Sequence, residues 1–255
     1  MIPLRDDVPA ARPPVVTRAL VVACGLVYLL QLGDPRGEIV DAWGMVPGRV
    51  LDPDSPAWEL PRRLAHGREL PPVGAAAVPD WWTLLTCTFL HGGLLHFAGN
   101  MLFLWIFGDN VEDRFGRLRF LAFYLACGVA ASAAHLAASP GSAVPTVGAS
   151  GAVAGVMGAY LLLYPHARVQ MLVVLGPFLD LLVLPAPFFL GYWFLLQLAG
   201  TLFDPGVAGG VAWWAHVGGF VVGAAVAWLL RAADRLRPAP PRVTLGARRL
   251  ALRRQ

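Results

Sequence analysis

Apolar residues gather along this chain into long runs separated by polar breaks. A helix that crosses a bilayer needs about 20 mostly apolar residues. Six runs approach that length, at 15–32, 94–112, 117–138, 149–165, 186–203 and 211–231. The pattern predicts an all-α membrane protein, a bundle of six transmembrane helices over residues 1–231. A seventh apolar stretch, 169–185, is interrupted by Pro177, Asp180 and Pro185, with Pro187 just beyond, and reads as a broken or interfacial segment before the fifth span. Residues 33–82 form one long polar connection rich in Pro and Gly. Its Trp43, Trp58, Trp81 and Trp82 suit a loop that leans on the bilayer interface. Residues 232–255 form an Arg- and Pro-rich tail, expected to be disordered or to lie on anionic headgroups.

Composition agrees with this reading. The chain is 57% hydrophobic and only 14% charged, and a soluble domain of 255 residues needs more polar surface. All 20 of its basic residues are Arg. With six spans both termini share one side, and 15 of the Arg fall there; the other five sit in the long loop beside eight acidic residues. The positive-inside rule then puts both termini in the cytoplasm. The net charge of +4 does not suggest nucleic acid, because eight Arg lie at or beyond the end of the last run. Residues 15–32 follow Arg5, Arg12 and Arg18 as a signal peptide would, but no small-residue cleavage site follows, so a retained helix is expected. Cys24, Cys87 and Cys127 make no readable disulfide or metal motif and read as small core residues.

Polar residues inside spans are costly, and each is a functional candidate. Four stand out: His96 and Asn100 near the start of the second span, Ser150 opening the fourth, and His216 one turn into the sixth. Those three spans run inward from the outer face, so all four residues are expected at a similar shallow depth. Gly148 and Gly151 flank Ser150 and permit close approach of a substrate chain. Free N–H groups and the positive dipole end of the helix starting there would favour an oxyanion. Taken alone, Ser150 reads more simply as an N-cap. Serine needs a base within hydrogen-bond reach, and imidazole is the usual one. Gly219 and Gly223 form a G-x-x-x-G face, and the fourth span offers Gly151, Gly155 and Gly158, so His216 can come close to Ser150. A purely structural hydrogen bond from His216 to a neighbouring helix is the plain alternative. His96 and Asn100, four apart, share a face and can both donate; His91 braces the loop before them. A metal site on His91, His96 and His216 lacks a carboxylate or thiolate partner, and neither metal nor cofactor is expected. His135 and His166 lie near helix ends, and His66 in the long loop has no reading.

In order, spacing and helix context, His91-x4-His96-x3-Asn100, Gly148-x-Ser150-Gly151 and Ala215-His216-x2-Gly219-x3-Gly223 together resemble the rhomboid intramembrane serine proteases. The segment Phe107–Gly116 also looks like that family's turn after the second helix. The resemblance implies a Ser–His dyad without aspartate. Ser150 would be the nucleophile and His216 the base, then the acid to the leaving amine. His96, Asn100 and the Ser150 backbone would form the oxyanion hole. The implied substrates are single-pass membrane helices cut near their outer end, with a gate at the fifth span around Phe188, Trp193 and Phe194. A bacterial inner membrane is the expected setting, on the ground of an N-terminus that is not transit-like and little sequence outside the core. Trp82 matches the family's Trp-Arg pair in the first loop, but Thr83 replaces the arginine, so the resemblance does not supply that loop's anchor. A non-catalytic relative that escorts membrane helices would keep the fold and lose the dyad. A small transporter would carry internal repeats or paired intramembrane charges, and neither is read here.

Overall fold

The computed structural model describes residues 2–59, 62–63, 69–70, 72–175, 178–203 and 211–240. The chain opens with a strand, β1 (Ile2–Asp6). Helix α1 (Val15–Leu32) follows Pro13 and Pro14, and its first amides are satisfied from another helix. Glu112 accepts from the Val16 N–H at 3.0 Å and from both the N–H and hydroxyl of Thr17 at 2.8 Å. A carboxylate there also meets the positive end of the helix dipole. Its neighbour Asp113 accepts from Ala11 N–H at 2.9 Å and pairs with Arg12 at 3.3 Å. The segment 107–116, expected as a turn, is helical to Phe115, and the acidic end of α5 ties the second predicted span to the entrance of the first.

The long first connection is built, not merely polar. It holds α2 (Glu38–Trp43), α3 (Pro47–Leu51) and the two-residue strands β2 (Arg62–Arg63) and β3 (Glu69–Leu70). Arg49, 2% exposed, organises it: the guanidinium binds Asp80 at 2.6 Å and the carbonyls of Asp41, Gly74 and Gly44 at 2.9–3.3 Å. This is the anchor that Thr83 does not provide. Trp43, Trp81 and Trp82 are exposed, whereas Trp58 packs over Gly48. His66 lies outside the described residues.

The short helix α4 (Thr83–Thr86) and its flanking turns, Asp80–Phe89, meet α5 (Leu94–Phe115) at 79°. Then come α6 (Arg117–Ala138), α7 (Ser150–Leu163), a hairpin of β4 (Arg168–Leu175) and β5 (Phe178–Pro185), α8 (Ala186–Phe203) and α9 (Trp213–Ala232). Among the described residues, four helices, α1, α6, α8 and α9, are long and apolar enough to cross a membrane. The bent pair ending in α5 makes a fifth. Helix α7 has only 14 residues and lies at the centre of the bundle, with Gly151 to Tyr160 all buried. It is apolar all round because it is covered all round.

The central contact is between α7 and α9, and it runs through glycine. A Cβ at Gly219 would overlap the Gly151 carbonyl oxygen, and one at Gly223 would overlap that of Gly155. Contacts advance by four residues on both helices together, so the two run parallel. A Cβ at Gly151 would in turn overlap the Ala131 side chain of α6.

Two expectations need correction. The segment 169–185, expected as broken or interfacial, is in its described residues two paired strands, β4 and β5, in register from Arg168↔Pro185 to Leu175↔Phe178. β1 adds as a third, antiparallel strand on β4, with Ile2 opposite Leu172 and Asp6 opposite Val169. The fold is thus a helical bundle carrying a three-stranded sheet. Asp180 stands exposed in a strand opposite Val173, and Pro177 lies outside the described residues. The start of the tail is also fixed: Arg237 N–H donates to Arg114 O at 2.9 Å, and Arg119 donates to Arg235 O at 2.8 Å. Residues 241–255 are outside the described part.

Candidate active site

The loop into Ser150 is held by the first connection. Met45 and Thr146 exchange backbone hydrogen bonds at 2.7 and 3.1 Å, Gly48 N–H reaches Ser142 O at 3.0 Å, and Gly148 N–H reaches Cys87 O at 2.9 Å. Gly148 has φ +134°, a region that L side chains rarely adopt. Its missing side chain also makes room: a Cβ there would stand 2.8 Å from His96 Nε2 and 3.4 Å from Ser150 Oγ. The glycine before the serine therefore serves both the turn and the approach of the His96 ring.

Ser150 is the first residue of α7, and Ala149 occupies the N-cap position without a side-chain cap. The N-cap reading of Ser150 fails, because its hydroxyl is used elsewhere. Ser150 Oγ lies 2.8 Å from His216 Nε2. His216 is buried one turn into α9, and the glycine contacts between α7 and α9 hold the two residues at one level. Its other ring nitrogen, Nδ1, lies 2.7 Å from Oε1 of Gln197 on α8. Gln197 is a site residue that sequence reasoning missed. The signal was present: it is a polar side chain inside an apolar run, the same criterion that singled out the other four.

His96 and Asn100 share the face of α5 beside this pair. His96 Nδ1 accepts from Gly92 N–H at 3.2 Å, which leaves Nε2, the nitrogen over Gly148, as the ring's free edge. Asn100 is 7% exposed and gives one amide hydrogen to His96 O at 2.9 Å. His91 is 2% exposed and braces the loop through its backbone. Gln31 of α1 accepts from His91 N–H at 2.9 Å and donates to His91 O at 3.0 Å. The His91 ring packs edge-on to Phe97 and His96.

The three aromatic residues expected at the gate are not placed alike. Trp193 sits with its ring centroid 5.8 Å from that of His216, and Phe194 stacks on Phe220 at 4.5 Å. Phe188 is 64% exposed. His135 lies in the last turn of α6. Cys24, Cys87 and Cys127 are buried and unbridged.

A parallel pair of glycine-packed helices that presents a serine to a histidine is a specific arrangement, and comparison with known proteins gives it a family. A family model described as Rhomboid domain matches residues 78–233, which hold Ser150, His216, Gln197, His96 and Asn100. The "Rhomboid protease GluP" of Bacillus subtilis is 36% identical over 147 residues, 58% of this chain and 26% of that protein. The "Rhomboid-like protein 11, chloroplastic" of Arabidopsis thaliana is 32% identical over 155 residues, 60% of this chain and 53% of its own length. The "Rhomboid protein 1, mitochondrial" of Saccharomyces cerevisiae is 28% identical over 180 residues, 68% of this chain and 49% of the relative. The chain therefore spans from a quarter to about half of the length of these relatives. With the matched region covering more than half of its residues, and with several helices able to cross a membrane, the chain is a multi-pass membrane protein that belongs to the rhomboid family.

Proposed function

We propose that this chain is an intramembrane serine endopeptidase that cuts single-pass membrane helices near their outer end with a Ser150–His216 dyad. One observation carries the reading: the 2.8 Å contact between Ser150 Oγ and His216 Nε2 at the start of a helix. His216 Nε2 takes the hydroxyl proton as Oγ attacks the scissile carbonyl carbon. The negative charge passes to the carbonyl oxygen, where the N–H of Ser150, the amide of Asn100 and the His96 ring form the oxyanion hole. Collapse breaks the C–N bond, and His216 returns the proton to the leaving amine. Water then repeats the sequence on the acyl-enzyme ester and frees the acid. No metal or cofactor enters the scheme.

The bundle is read as six spans with both termini in the cytoplasm, α7 serving as the short fourth one. Fourteen residues rise about 21 Å, against about 30 Å of hydrocarbon. A helix that ends on one side of the bilayer then begins below the opposite surface, so Ser150 stands in a depression that water can enter from outside. The Arg distribution supports that orientation, and a bacterial inner membrane is the setting in which it would work. Substrate would come in past α8, by Trp193 and Phe194, with Phe188 facing the lipid. A substrate helix must unwind locally to present a carbonyl, and small or helix-breaking residues lower that cost.

The test is cleavage in liposomes of a tagged single-pass helix with Gly and Ala near its outer end. Wild type should give product, and Ser150→Ala and His216→Ala should lose activity by several orders of magnitude. Equal product from all three would remove the dyad. No product from wild type, together with no labelling of Ser150 by a fluorophosphonate, would favour a helix-escorting protein instead.

A further inference from the structure

We propose that Gln197 is the third member of the catalytic arrangement, a positioning residue that fixes the tautomer and orientation of His216. The inference rests on the dyad reading above and adds a residue from a helix that reading uses only as a gate.

The argument starts from the Gln197 amide. Its Nε2 donates to Trp193 O, one turn earlier on α8, at 3.1 Å. A carbonyl oxygen can only accept, so the NH2 end of the amide is fixed there and the oxygen end must face His216. Oε1 can only accept in turn, so His216 Nδ1 must carry the proton at the 2.7 Å contact. In neutral imidazole the other nitrogen then holds the lone pair. That nitrogen is Nε2, the atom 2.8 Å from Ser150 Oγ. One amide, locked by its own helix, thus dictates which ring nitrogen is the base. When Nε2 takes the serine proton, the positive charge that appears on the ring meets the carbonyl dipole of Gln197. A buried carboxylate would do this more strongly in water-soluble enzymes. Inside a bilayer an ionised carboxylate is costly, and an amide supplies the same acceptor without a charge.

The placement of Gln197 has a further consequence. The buried residues of α8 are Ala186, Phe189, Leu190 and Gln197, one inward stripe. Gln197 is the polar member of that stripe and the one nearest the end of the helix. His216 therefore has its orienting partner only while α8 lies against α9. The helix expected to admit substrate also completes the base, so chemistry requires α8 in place at this level.

The experiment compares wild type, Gln197→Met and Gln197→Glu as full chains in liposomes, with Ser150→Ala beside them. Met keeps volume and removes the acceptor; Glu keeps an acceptor at the same reach. Gln197→Met is expected to lower kcat about 10- to 100-fold, the loss of one hydrogen bond to a developing charge, with KM nearly unchanged. Gln197→Glu should recover most of that loss. A second readout needs no turnover: the 15N spectrum of histidine-labelled protein, with His216 assigned by difference from His216→Ala. Wild type should show a protonated Nδ1 and a bare Nε2, and Gln197→Met should lose that preference. Wild-type kcat in the Met variant, equal losses in the Met and Glu variants, or a wild-type proton on Nε2 would each overturn the proposal. Failure of the dyad itself has another signature: Ser150→Ala would cleave as fast as wild type, while the tautomer still reports on Gln197.

Discussion

An oxyanion is stabilised by donors aimed where its charge develops, and in a site shielded from water each donor is worth more. The start of α7 offers such donors by its geometry alone. Val153 N–H finds Ala149 O at 2.9 Å, so the amides of Ser150, Gly151 and Ala152 precede the first helical bond. Asn100, proposed as a further donor, has one amide hydrogen held by His96 O and a second that the proposed oxyanion could take. Asn100→Ala is expected to lower kcat about 10²- to 10³-fold with little change in KM, measured by steady-state cleavage in liposomes. A loss confined to KM would make Asn100 a substrate-binding residue instead. At this scale much of the site was legible in the sequence. Ser150, His216, His96 and Asn100 are polar residues in apolar runs, and the structure brings them together around the start of α7. Gln197 meets the same criterion, but nothing in the sequence pairs it with His216, since 19 residues and a change of helix separate them.

Elements fix how closely those residues approach. The α7–α9 contact depends on backbone meeting backbone, because a Cβ at Gly219 would overlap the Gly151 carbonyl. Gly219→Ala must push the helices apart and is expected to cost about 1–3 kcal/mol, the usual price of overpacking. It should also reduce cleavage, because the shift draws His216 away from Ser150. Gly191→Ala on α8 is the control, since a Cβ there meets nothing within 4 Å. Thermal unfolding in detergent beside the cleavage assay checks both, and equal stability of the two variants would mean that α7 and α9 have slack. Helices α1, α6, α8 and α9 were readable because their apolar runs are long. The β4–β5 hairpin was not, for a physical reason. A strand pair apolar on both faces lacks the period-2 alternation that marks a half-buried strand, and a run of that length broken by proline imitates a damaged span. The pairing of β1 with β4 is hidden further, since its partners lie more than 160 residues apart. Arg49 escaped for a similar reason: its partners are mostly backbone carbonyls, which leave no pattern in sequence.

Across the whole molecule, the N-terminal strand joins elements that the active site needs aligned. Asp6 Oδ2 accepts from Tyr160 OH at 2.5 Å and from Asn110 Nδ2 at 2.7 Å, which links β1 to the far ends of α7 and α5. Burial raises the Asp6 carboxyl from 3.8 to about 7, and the hydrogen bond from Tyr160 opposes that rise. Between those two values the folded chain keeps a proton that the unfolded chain has lost. The contribution to stability is therefore complete below about pH 4 and is lost as pH rises through about 7. Thermal midpoints in detergent should fall across that window in wild type and level off above it. Asp6→Asn keeps an acceptor oxygen and has no proton to lose, so its midpoint should vary less over the same range and should match or exceed wild type at pH 8. Should both proteins decline in parallel, the pH dependence would belong to other carboxyl groups and not to the strand. If the slope goes with Asp6, then the strap at one end of the bundle is weakest at neutral pH, and the alignment of α5 with α7 at Ser150 has to be carried by the glycine contacts and by the Glu112 hydrogen bonds at the end of α5.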